Sequence, residues 1–465
     1  MHTDEAVNAY IVGQLLRGEP FTYDAQDRHG PALAAIALPL AWMQGARSFS
    51  ELTESELRVT SVVAGTVTIL LFGAAAEIFG LIPCLVAALL FAVAPLPVYY
   101  DRYFIHESMF CAATFGLILS GWRACKTSSA LYAAVAGGCA GSMLACKETA
   151  ILHLFALMAA AVVFNLRSLR GMRSAKVLRA GRLLPAAVVT FLAVIVVLFT
   201  WFGRNWKSLL ELSRAGANVL ARAGGQGHEQ PFWYYGKLLT GGWSGGLLFA
   251  FACAGVFIAI KRRGGSVHQW MGCYGLLLAA IYSLIPYKTP WLALNLWLPL
   301  AIFAGMTVEL LWRRISKQFG RRAAIPALCG LAFAGVLIGH DTRQRVFRQP
   351  AEESNPYAYA HTSEDILGLP LEIAEIARRD GIHSPRIVVI ASDPWPLPWY
   401  LRHFNQVGFW QPGQQVADGD FYVTSTEAAD QYAERLRRFR PDFFGSRPGV
   451  LILLWLPEPG MKSHG

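Results

Sequence analysis

The chain of 465 residues is too apolar to be a set of water-soluble domains. Hydrophobic residues make up 54% and charged residues only 15%, against about 25% charged residues in soluble proteins, and the mean hydropathy is +0.37. Glycine and proline show no period, and the 8 cysteines lie in or beside apolar stretches. Collagen-like, disordered and disulfide-rich classes are therefore excluded, and most of the chain needs a non-aqueous surrounding.

Ten apolar segments are long enough, or nearly so, to cross a bilayer as helices, which takes about 20 residues. We predict spans at 58–79, 81–98, 107–124, 130–146, 148–165, 183–203, 243–260, 269–287, 291–312 and 323–340. Pro95 and Pro97 lie near one end of the second span, where they kink or end a helix. The stretch 31–43 is apolar but too short to span, which favours an interfacial or re-entrant helix.

Basic residues concentrate in alternate loops between these spans, and those loops contain no acidic residue. They are Arg123, Lys126, Arg167, Arg170, Arg173, Lys176, Arg179, Arg182, Lys261, Arg262, Arg263, Arg313, Arg314, Lys317, Arg321 and Arg322. The positive-inside rule makes these loops cytoplasmic. The outward parts are then 1–57, 99–106, the 147–148 turn, 204–242, 286–290 and everything after 341. The net charge of +10 thus reflects membrane topology, and no nucleic-acid partner is expected.

The tail 342–465 has the patterns of a small α/β domain outside the membrane. Helical periodicity runs over 366–379 and 426–439, and short β-type runs occupy 386–392, 420–425 and 450–455. No glycine-rich phosphate loop follows a strand, so the pattern does not indicate nucleotide binding. The predicted organisation is an outward loop (1–57), a transmembrane domain (58–341) and this extracytoplasmic domain.

Charged side chains in the outward loops mark the most probable place for chemistry, because charges close to lipid are costly and often functional. Acidic residues occur in the first loop and between the second and third spans, and basic residues occur at the outer ends of several spans. They are Asp4, Glu5, Asp101, Glu107, Arg58, Arg102, Lys147, Arg204 and Lys288. Structural alternatives stay open: Asp4 and Glu5 cap a helix, Asp101 and Arg102 pair locally, and the lysines extend toward lipid headgroups.

The order of these elements resembles a known family. In sequence they are Asp4-Glu5, His29-Gly30-Pro31-Ala32-Leu33, Arg58, Arg102 with Glu107, Lys147, and Lys288-Thr289-Pro290-Trp291. This order resembles the polytopic GT-C membrane glycosyltransferases, specifically the family 39-like enzymes that include protein O-mannosyltransferases and lipid A aminoarabinose transferases. The flippase activity-associated subfamily is the most similar, also through the tail segment 392–403. Gly30 replaces the first proline of the family's His-Pro-Pro-Leu element.

The resemblance implies an inverting transferase, of the hexosyltransferase class, in the cytoplasmic (inner) membrane. A polyprenyl-phosphate-linked sugar is the implied donor, and the acceptor is a protein, lipid or glycan. Asp4 is the implied general base, with Glu5 and Glu107 as further catalytic residues. Lys288 and Lys147, supported by Arg102 and Arg58, would bind the donor phosphate. His29, His106 and Asp101 would contact acceptor or sugar. The resemblance implies no cofactor. His2, His29 and His106 leave metal binding as an open alternative, although their spacing in the sequence is not that of known metal ligands.

Two other functions remain as alternatives. A transporter, or a non-catalytic partner of a lipid-linked sugar flippase, would fit the membrane spans, but a transporter is expected to show internal repeats and mid-span charges. Transfer of whole oligosaccharides to asparagine is disfavoured because the outer domain lacks a Trp-Trp-Asp element. Family members also have a span before the acidic loop. We therefore expect about 20 apolar residues preceded by Lys or Arg to be encoded in frame upstream of Met1.

The topology itself is testable. Ten spans after an outward first loop return the chain to the outer side, so a phosphatase that works only in the periplasm should be active when fused after Arg343. A fusion after Arg263, in a loop predicted to be cytoplasmic, is the matched control and should be inactive. Activity of a cytoplasm-only reporter after Arg343 would contradict the topology and the site assignment that depends on it.

Overall fold

Helices occupy all ten predicted spans in the computed structural model of the chain. The structure describes residues 1–26, 28–168, 175–222, 224, 228–261, 267–320, 322 and 324–457. The apolar helices are α3 (Glu54–Phe79), α4 (Leu81–Val93) with α5 (Pro95–Asp101), α6 (Glu107–Thr127), α7 (Ala130–Cys146), α8 (Ala150–Ser168), α9 (Ala175–Phe199), α12 (Gly242–Lys261), α13 (Val267–Leu284), α14 (Ala293–Phe319) and α15 (Ala324–Thr342). Of the basic loop residues, Arg170, Arg173, Arg262, Arg263 and Arg321 lie outside the described residues.

These helices differ in how well their length and hydropathy suit a membrane span. Among the described residues, four helices cross a bilayer by length and composition alone: Glu54–Phe79, Gly242–Lys261, Pro290–Phe319 and Ile325–Arg348. A fifth span forms if α4 and α5, which meet at a 60° bend, count as one. The bend falls at the predicted prolines, because Pro95 opens α5 and cannot continue the hydrogen-bond ladder of α4. The remaining predicted spans are shorter or more polar helices.

Small residues bring the helices of the bundle into close contact. A Cβ atom on Gly137 of α7 would lie only 1.9 Å from the carbonyl oxygen of Ala187 on α9. Since no side chain fits in that space, glycine is required for the two backbones to approach this closely. The burial of apolar surface gives little driving force for association between helices that are already surrounded by lipid. Close backbone contacts of this kind therefore hold the helices together.

Two short helices form the first outward segment. α1 (Thr3–Leu16) and α2 (Ala32–Met43) lie on the outer ends of the bundle, and α2 is the predicted apolar segment that is too short to span. Further outward helices are α10 (Lys207–Arg222) and α11 (Tyr234–Thr240). α1 begins with a capping box: the His2 side chain accepts from the backbone N–H of Asp4, and the Glu5 side chain accepts from the backbone N–H of His2.

The carboxylate of Glu5 ties three outer segments together. Its side chain is fully buried and accepts hydrogen bonds from Arg58 Nε and Nη2, both at 2.8 Å. It also accepts from the backbone N–H of Phe104 at 2.9 Å and of His2 at 3.0 Å. Four donors from α1, the start of α3 and the 102–106 loop therefore converge on one group.

The tail is an α/β domain built on a five-stranded sheet of order β2–β1–β3–β5–β4. Its elements are α16 (Gly368–Arg379), β1 (Arg386–Ile390), α17 (Leu397–Tyr400), β2 (Gln406–Trp410), β3 (Phe421–Ser425), α18 (Thr426–Gln431), α19 (Ala433–Leu436), β4 (Phe439–Arg447) and β5 (Val450–Pro457). β2, β1 and β3 are parallel, whereas β3, β5 and β4 are antiparallel. The prediction of one helix over 426–439 is wrong: that segment forms two short helices, and β4 begins at Phe439.

Both faces of this sheet are covered, as the alternation of side chains requires. Ile387 and Val389 of β1 belong to the same core cluster as α16, Trp399 and the outward helices α1 and α2. Val388 and Ile390 pack on the opposite face with α18 and α19 residues. One face of the tail domain thus shares a hydrophobic core with α1 and α2.

The Glu5 contacts generate a prediction about stability. Burial alone would raise the pKa of Glu5, but Arg58 and the surrounding donors lower it to about 2 from 4.5. A carboxyl group whose pKa is lower in the folded state stabilises the fold above pH 4.5 and loses this effect as the pH falls toward 2. The shift corresponds to about 3 kcal/mol. Glu5→Gln should therefore lower the melting temperature in detergent at pH 7.

The difference between the unmutated protein and Glu5→Gln should narrow as the pH is lowered from 5 toward 2. Glu19→Gln is the matched control, because the ion pair of Glu19 with Arg17 is exposed and such pairs contribute about 0–1 kcal/mol. Equal melting temperatures for Glu5→Gln and the unmutated protein at pH 7 would contradict the structural role of Glu5.

Candidate active site

A polar cavity of about 440 Å³ lies between the first outward segment, the outer ends of the helices and the tail domain. Six stretches of the chain line it together with Trp395 of the tail domain: 3–11, 28–29, 105–107, 147–152, 228–235 and 282–292. Its charged and histidine side chains are Asp4, Arg28, His29, His106, Glu107, Lys147, Glu148 and His228. Aromatic walls come from Tyr235, Tyr282, Tyr287, Trp291 and Trp395. A concave space of this size with aromatic walls is typical of small-molecule sites, and its many charged groups suit a polar ligand.

The two residues of the acidic pair face different surroundings. Successive residues of a helix point about 100° apart, so Glu5 turns to Arg58 while Asp4 lines the cavity. Among the described residues, the Asp4 carboxylate has no hydrogen-bond or ion-pair partner, although its backbone N–H is bonded to His2. A carboxylate that is partly exposed to a cavity and has no protein partner is available to accept a proton from a bound hydroxyl group.

Glu107 and Lys147 form a buried ion pair on the cavity wall. Glu107 is the first residue of α6 and Lys147 ends α7, and Lys147 Nζ lies 2.5 Å from Glu107 Oε1. The side chains are 4% and 11% exposed, and the ring centroid of Trp291 is 5.9 Å from the ammonium. Burial alone would lower the pKa of Lys147, but Glu107 keeps it above its ordinary value. The cavity therefore contains a fixed positive charge.

Glu148 organises a second set of side chains beside this pair. Its Oε1 accepts a hydrogen bond from the Tyr23 hydroxyl at 2.7 Å, and its Oε2 lies 3.1 Å from His29 Nδ1. Burial would raise the pKa of Glu148, but His29 and Tyr23 together lower it to about 2, so it is a carboxylate near neutral pH. Because an ionised carboxylate only accepts, His29 Nδ1 carries the proton of this bond.

The conformation of the His29 loop depends on the glycine that follows. A Cβ atom on Gly30 would lie 2.2 Å from the backbone carbonyl oxygen of Ala145, so this loop packs directly on the end of α7. The carbonyl of Gly30 lies 3.2 Å from His106 Nε2, and the His29 and His106 rings meet edge to face at 5.3 Å. Gly30 thus places His29 beside Lys147 and Glu148, which explains why glycine stands in the His-Gly-Pro element.

Five of the predicted site residues line the cavity and five do not. Asp4, His29, His106, Glu107 and Lys147 line it, whereas Glu5, Arg58, Asp101, Arg102 and Lys288 lie elsewhere. Span counting located all ten at the outer ends of helices, but it carries no information on the direction of each side chain.

The phosphate-binding roles expected for three basic residues do not fit their positions. Lys288 is 1% exposed, and its Nζ donates to the carbonyls of Ile285 and Gln230 at 2.5 and 3.0 Å. Arg58 is paired with Glu5. Arg102 donates to the Val346 carbonyl at 3.0 Å and lies over the Phe347 ring. The side-chain donors of all three residues are thus bonded to protein groups, and none of the three lines the cavity.

Asp101 likewise lies outside the cavity. It ends α5 against α3, where a Cβ atom on Gly65 would be 2.2 Å from its Oδ2.

Sequence analysis missed Glu148 and Tyr23 as site residues. Glu148 follows Lys147 directly, so the only available signal was a second charge at an outer span end. Tyr23 has no motif. Among the described residues, no group of three His, Cys, Asp or Glu side chains comes together in a way that would hold a metal ion.

An apolar groove of about 570 Å³ runs along the bundle beside the cavity. α2, α3, α6 and α7 line it, mostly with small side chains such as Ala64 and Gly116. One end reaches Ala32 and Cys146, and the other reaches Arg123 near the predicted cytoplasmic side. Cys146 immediately precedes Lys147, so the outer end of the groove lies next to the charged wall of the cavity.

Comparisons with known proteins match this architecture. A family model described as dolichyl-phosphate-mannose-protein mannosyltransferase matches residues 40–201. ArnT from Cupriavidus metallidurans, solved bound to undecaprenyl phosphate, superposes with a TM-score of 0.63 and 16% identity over 97% of this chain and 93% of that chain.

A second similar structure is the oligosaccharyltransferase AglB from Archaeoglobus fulgidus, solved with an inhibitory peptide and a dolichol-phosphate. It gives a TM-score of 0.54 and 12% identity over 100% of this chain and 71% of that chain. A search of curated protein sequences found no match.

The chain has the GT-C glycosyltransferase fold. The prediction of a polytopic helical fold of the GT-C type with a small C-terminal α/β domain is confirmed, and the family model agrees with the family 39-like resemblance over residues 40–201. The apolar helices and this fold indicate an integral membrane protein. The relation to the flippase activity-associated subfamily stays a prediction.

Proposed function

We propose that this protein transfers a sugar from a polyprenyl-phosphate donor to an acceptor hydroxyl group at the outer face of the cytoplasmic membrane. The observation that carries the proposal is the cavity itself, where the unpaired carboxylate of Asp4 and the buried ammonium of Lys147 line one space of about 440 Å³. A base for the acceptor and a cation for the leaving phosphate are the two groups that displacement at an anomeric carbon requires.

The apolar groove supports a lipid-linked donor. A polyprenyl chain needs an apolar path through the bilayer that ends where its phosphate binds, and the groove between α2, α3, α6 and α7 ends at Cys146, next to Lys147. Bound undecaprenyl phosphate and dolichol-phosphate are reported for ArnT and AglB. In this proposal the lipid lies in the groove and the sugar enters the cavity.

The reaction is a single displacement with inversion. The acceptor oxygen forms a bond to the anomeric carbon while the bond from that carbon to the phosphate oxygen breaks, and the electron pair leaves with the phosphate. Asp4 accepts the proton of the acceptor hydroxyl group. Lys147 stabilises the charge that grows on the phosphate. Glu107 keeps the Lys147 ammonium in place and orients the acceptor when the phosphate takes over part of the lysine's hydrogen bonding.

Lys147 replaces Lys288 as the expected phosphate anchor. Both are buried lysines at outer ends of helices, but only Lys147 lines the cavity. The pair therefore provides a matched comparison within one chain.

The test uses purified protein in one detergent with a panel of polyprenyl-phosphate sugars, measuring turnover and donor affinity. Asp4→Asn keeps size and hydrogen bonding but removes the base, so turnover should fall roughly 10²–10⁴-fold with donor affinity nearly unchanged. Lys147→Met removes a charge-assisted bond to phosphate, so donor affinity should fall roughly 10–100-fold. Lys288→Met should leave donor affinity unchanged in the fraction that remains folded.

Three results would contradict parts of the proposal. Full transfer activity in Asp4→Asn would mean that Asp4 is not the general base. A loss of donor affinity in Lys288→Met but not in Lys147→Met would mean that Lys288, and not Lys147, binds the donor phosphate. Absence of transfer by the unmutated protein with every donor, while lipid-linked sugar still crosses the bilayer, would favour the flippase partner or transporter instead.

A further inference from the structure

We infer that His29, held by Glu148 and Tyr23, donates a proton to the phosphate that leaves the donor. This inference rests on the proposed sugar transfer and adds a second catalytic residue to it. Asp4 removes a proton from the acceptor, and His29 supplies one to the leaving group on the other side of the anomeric carbon. The inference starts from three contacts around one imidazole ring.

The hydrogen bonds of His29 fix which of its nitrogens can act. Nδ1 donates to Glu148 Oε2 at 3.1 Å, and Nε2 has no hydrogen-bond partner among the described residues. The side chain is 32% exposed and lines the cavity. A histidine whose Nδ1–H is held by a carboxylate has its orientation and tautomer set. Nε2–H of that ring is then available to a ligand.

Glu148 is built for this positioning role. It is 9% exposed on its side chain, yet it stays ionised because two donors, His29 and the Tyr23 hydroxyl, occupy its two oxygens. Tyr23 is 1% exposed and lies edge to face on Phe199 at 5.0 Å. The carboxylate therefore has little freedom to rotate away from the imidazole ring. A buried carboxylate that acts through the cavity-lining histidine it orients is a positioning residue.

The neighbouring histidine cannot perform the same task. His106 Nε2 donates to the Gly30 carbonyl at 3.2 Å, and burial together with the nearby positive groups keeps the pKa of His106 well below its ordinary value. It is therefore a neutral ring with its proton bound to backbone. His29 differs because its ring bonds to the carboxylate of Glu148, whereas the ring of His106 bonds to the backbone carbonyl of Gly30.

The charged groups around His29 also suit a proton donor. Glu148 faces it from the α7–α8 turn, Lys147 and His106 lie beside it, and Arg28 precedes it in the same loop. Lys147 keeps its charge to higher pH than an imidazole does, because Glu107 raises its pKa.

In this step one bond breaks, one bond forms and two protons are transferred. The bond between the anomeric carbon and the phosphate oxygen breaks with its electron pair on oxygen, and that oxygen takes the proton from His29 Nε2. The acceptor oxygen bonds to the anomeric carbon and gives its proton to Asp4. The products are the glycosylated acceptor and polyprenyl monophosphate with one proton. Asp4 then releases a proton to water, and His29 regains one from water.

The experiment is a pH profile of turnover for the purified unmutated protein and three variants at saturating donor. The unmutated protein should show an acid limb from Asp4 and an alkaline limb from His29. In His29→Gln the alkaline limb should disappear and turnover near neutral pH should fall about 10²-fold, the low end for general acid catalysis because phosphate is already a good leaving group. In Glu148→Gln turnover should fall while donor affinity stays unchanged, because His29 loses the carboxylate that orients it.

His383→Gln is the matched control, since His383 is exposed on the tail domain and its profile should equal that of the unmutated protein. Melting temperatures and donor affinity check that each variant is folded. An alkaline limb that persists in His29→Gln, whatever the absolute turnover, would overturn the inference while sugar transfer and the Asp4 assignment stand. An unmutated protein that transfers no sugar would overturn the proposed function and this inference together.

Discussion

The buried carboxylate of Glu5 is the constraint on which the outer part of the protein depends. It accepts hydrogen bonds from the backbone N–H groups of His2 and Phe104 and from the Arg58 side chain. A buried charge is tolerated only when its hydrogen bonds are complete, so α1, α3 and the 102–106 loop must meet in one arrangement. That arrangement turns the adjacent Asp4 toward the cavity. The acidic pair thus divides into a structural residue and a residue available for chemistry.

The cavity that results has groups of opposite charge on separate supports. Asp4 comes from α1, Lys147 and Glu148 from the turn between α7 and α8, and His29 from the loop before α2. Because each carboxylate except Asp4 has a tight partner, the free basicity of the site is concentrated at one residue. The lipid groove approaches from the bilayer side, and the tail domain closes the opposite side through Trp395.

Much of the fold could be predicted from the sequence, because spans must present apolar side chains to lipid and the resulting runs are visible without any tertiary information. The internal strands β1, β3 and β5 were likewise visible as short apolar runs. The strands missed, β2 and β4, are the two edges of the sheet. Edge strands bury less of their surface, and β4 contains Pro441, which a central strand would exclude.

The site could be predicted only in part, for a different reason. Lys147 and Lys288 give the same signal, a lysine at the outer end of a span, yet one lines the cavity and the other donates to backbone carbonyls. The direction in which each lysine side chain points depends on how loops that are distant in sequence pack together, such as residues 228–230 against residues 285–288. Glu148 and Tyr23 are 125 residues apart, so no local pattern connects them.

The central claim is that the cavity between Asp4 and Lys147 receives the phosphate and sugar of a lipid-linked donor. The most direct measurement is an experimental structure of the protein with a polyprenyl phosphate bound. The account predicts density for the phosphate in contact with Lys147 Nζ and His29 Nε2, and for the polyprenyl chain in the groove between α3, α6 and α7. A phosphate bound at Lys288 or Arg102, with the cavity empty, would contradict it.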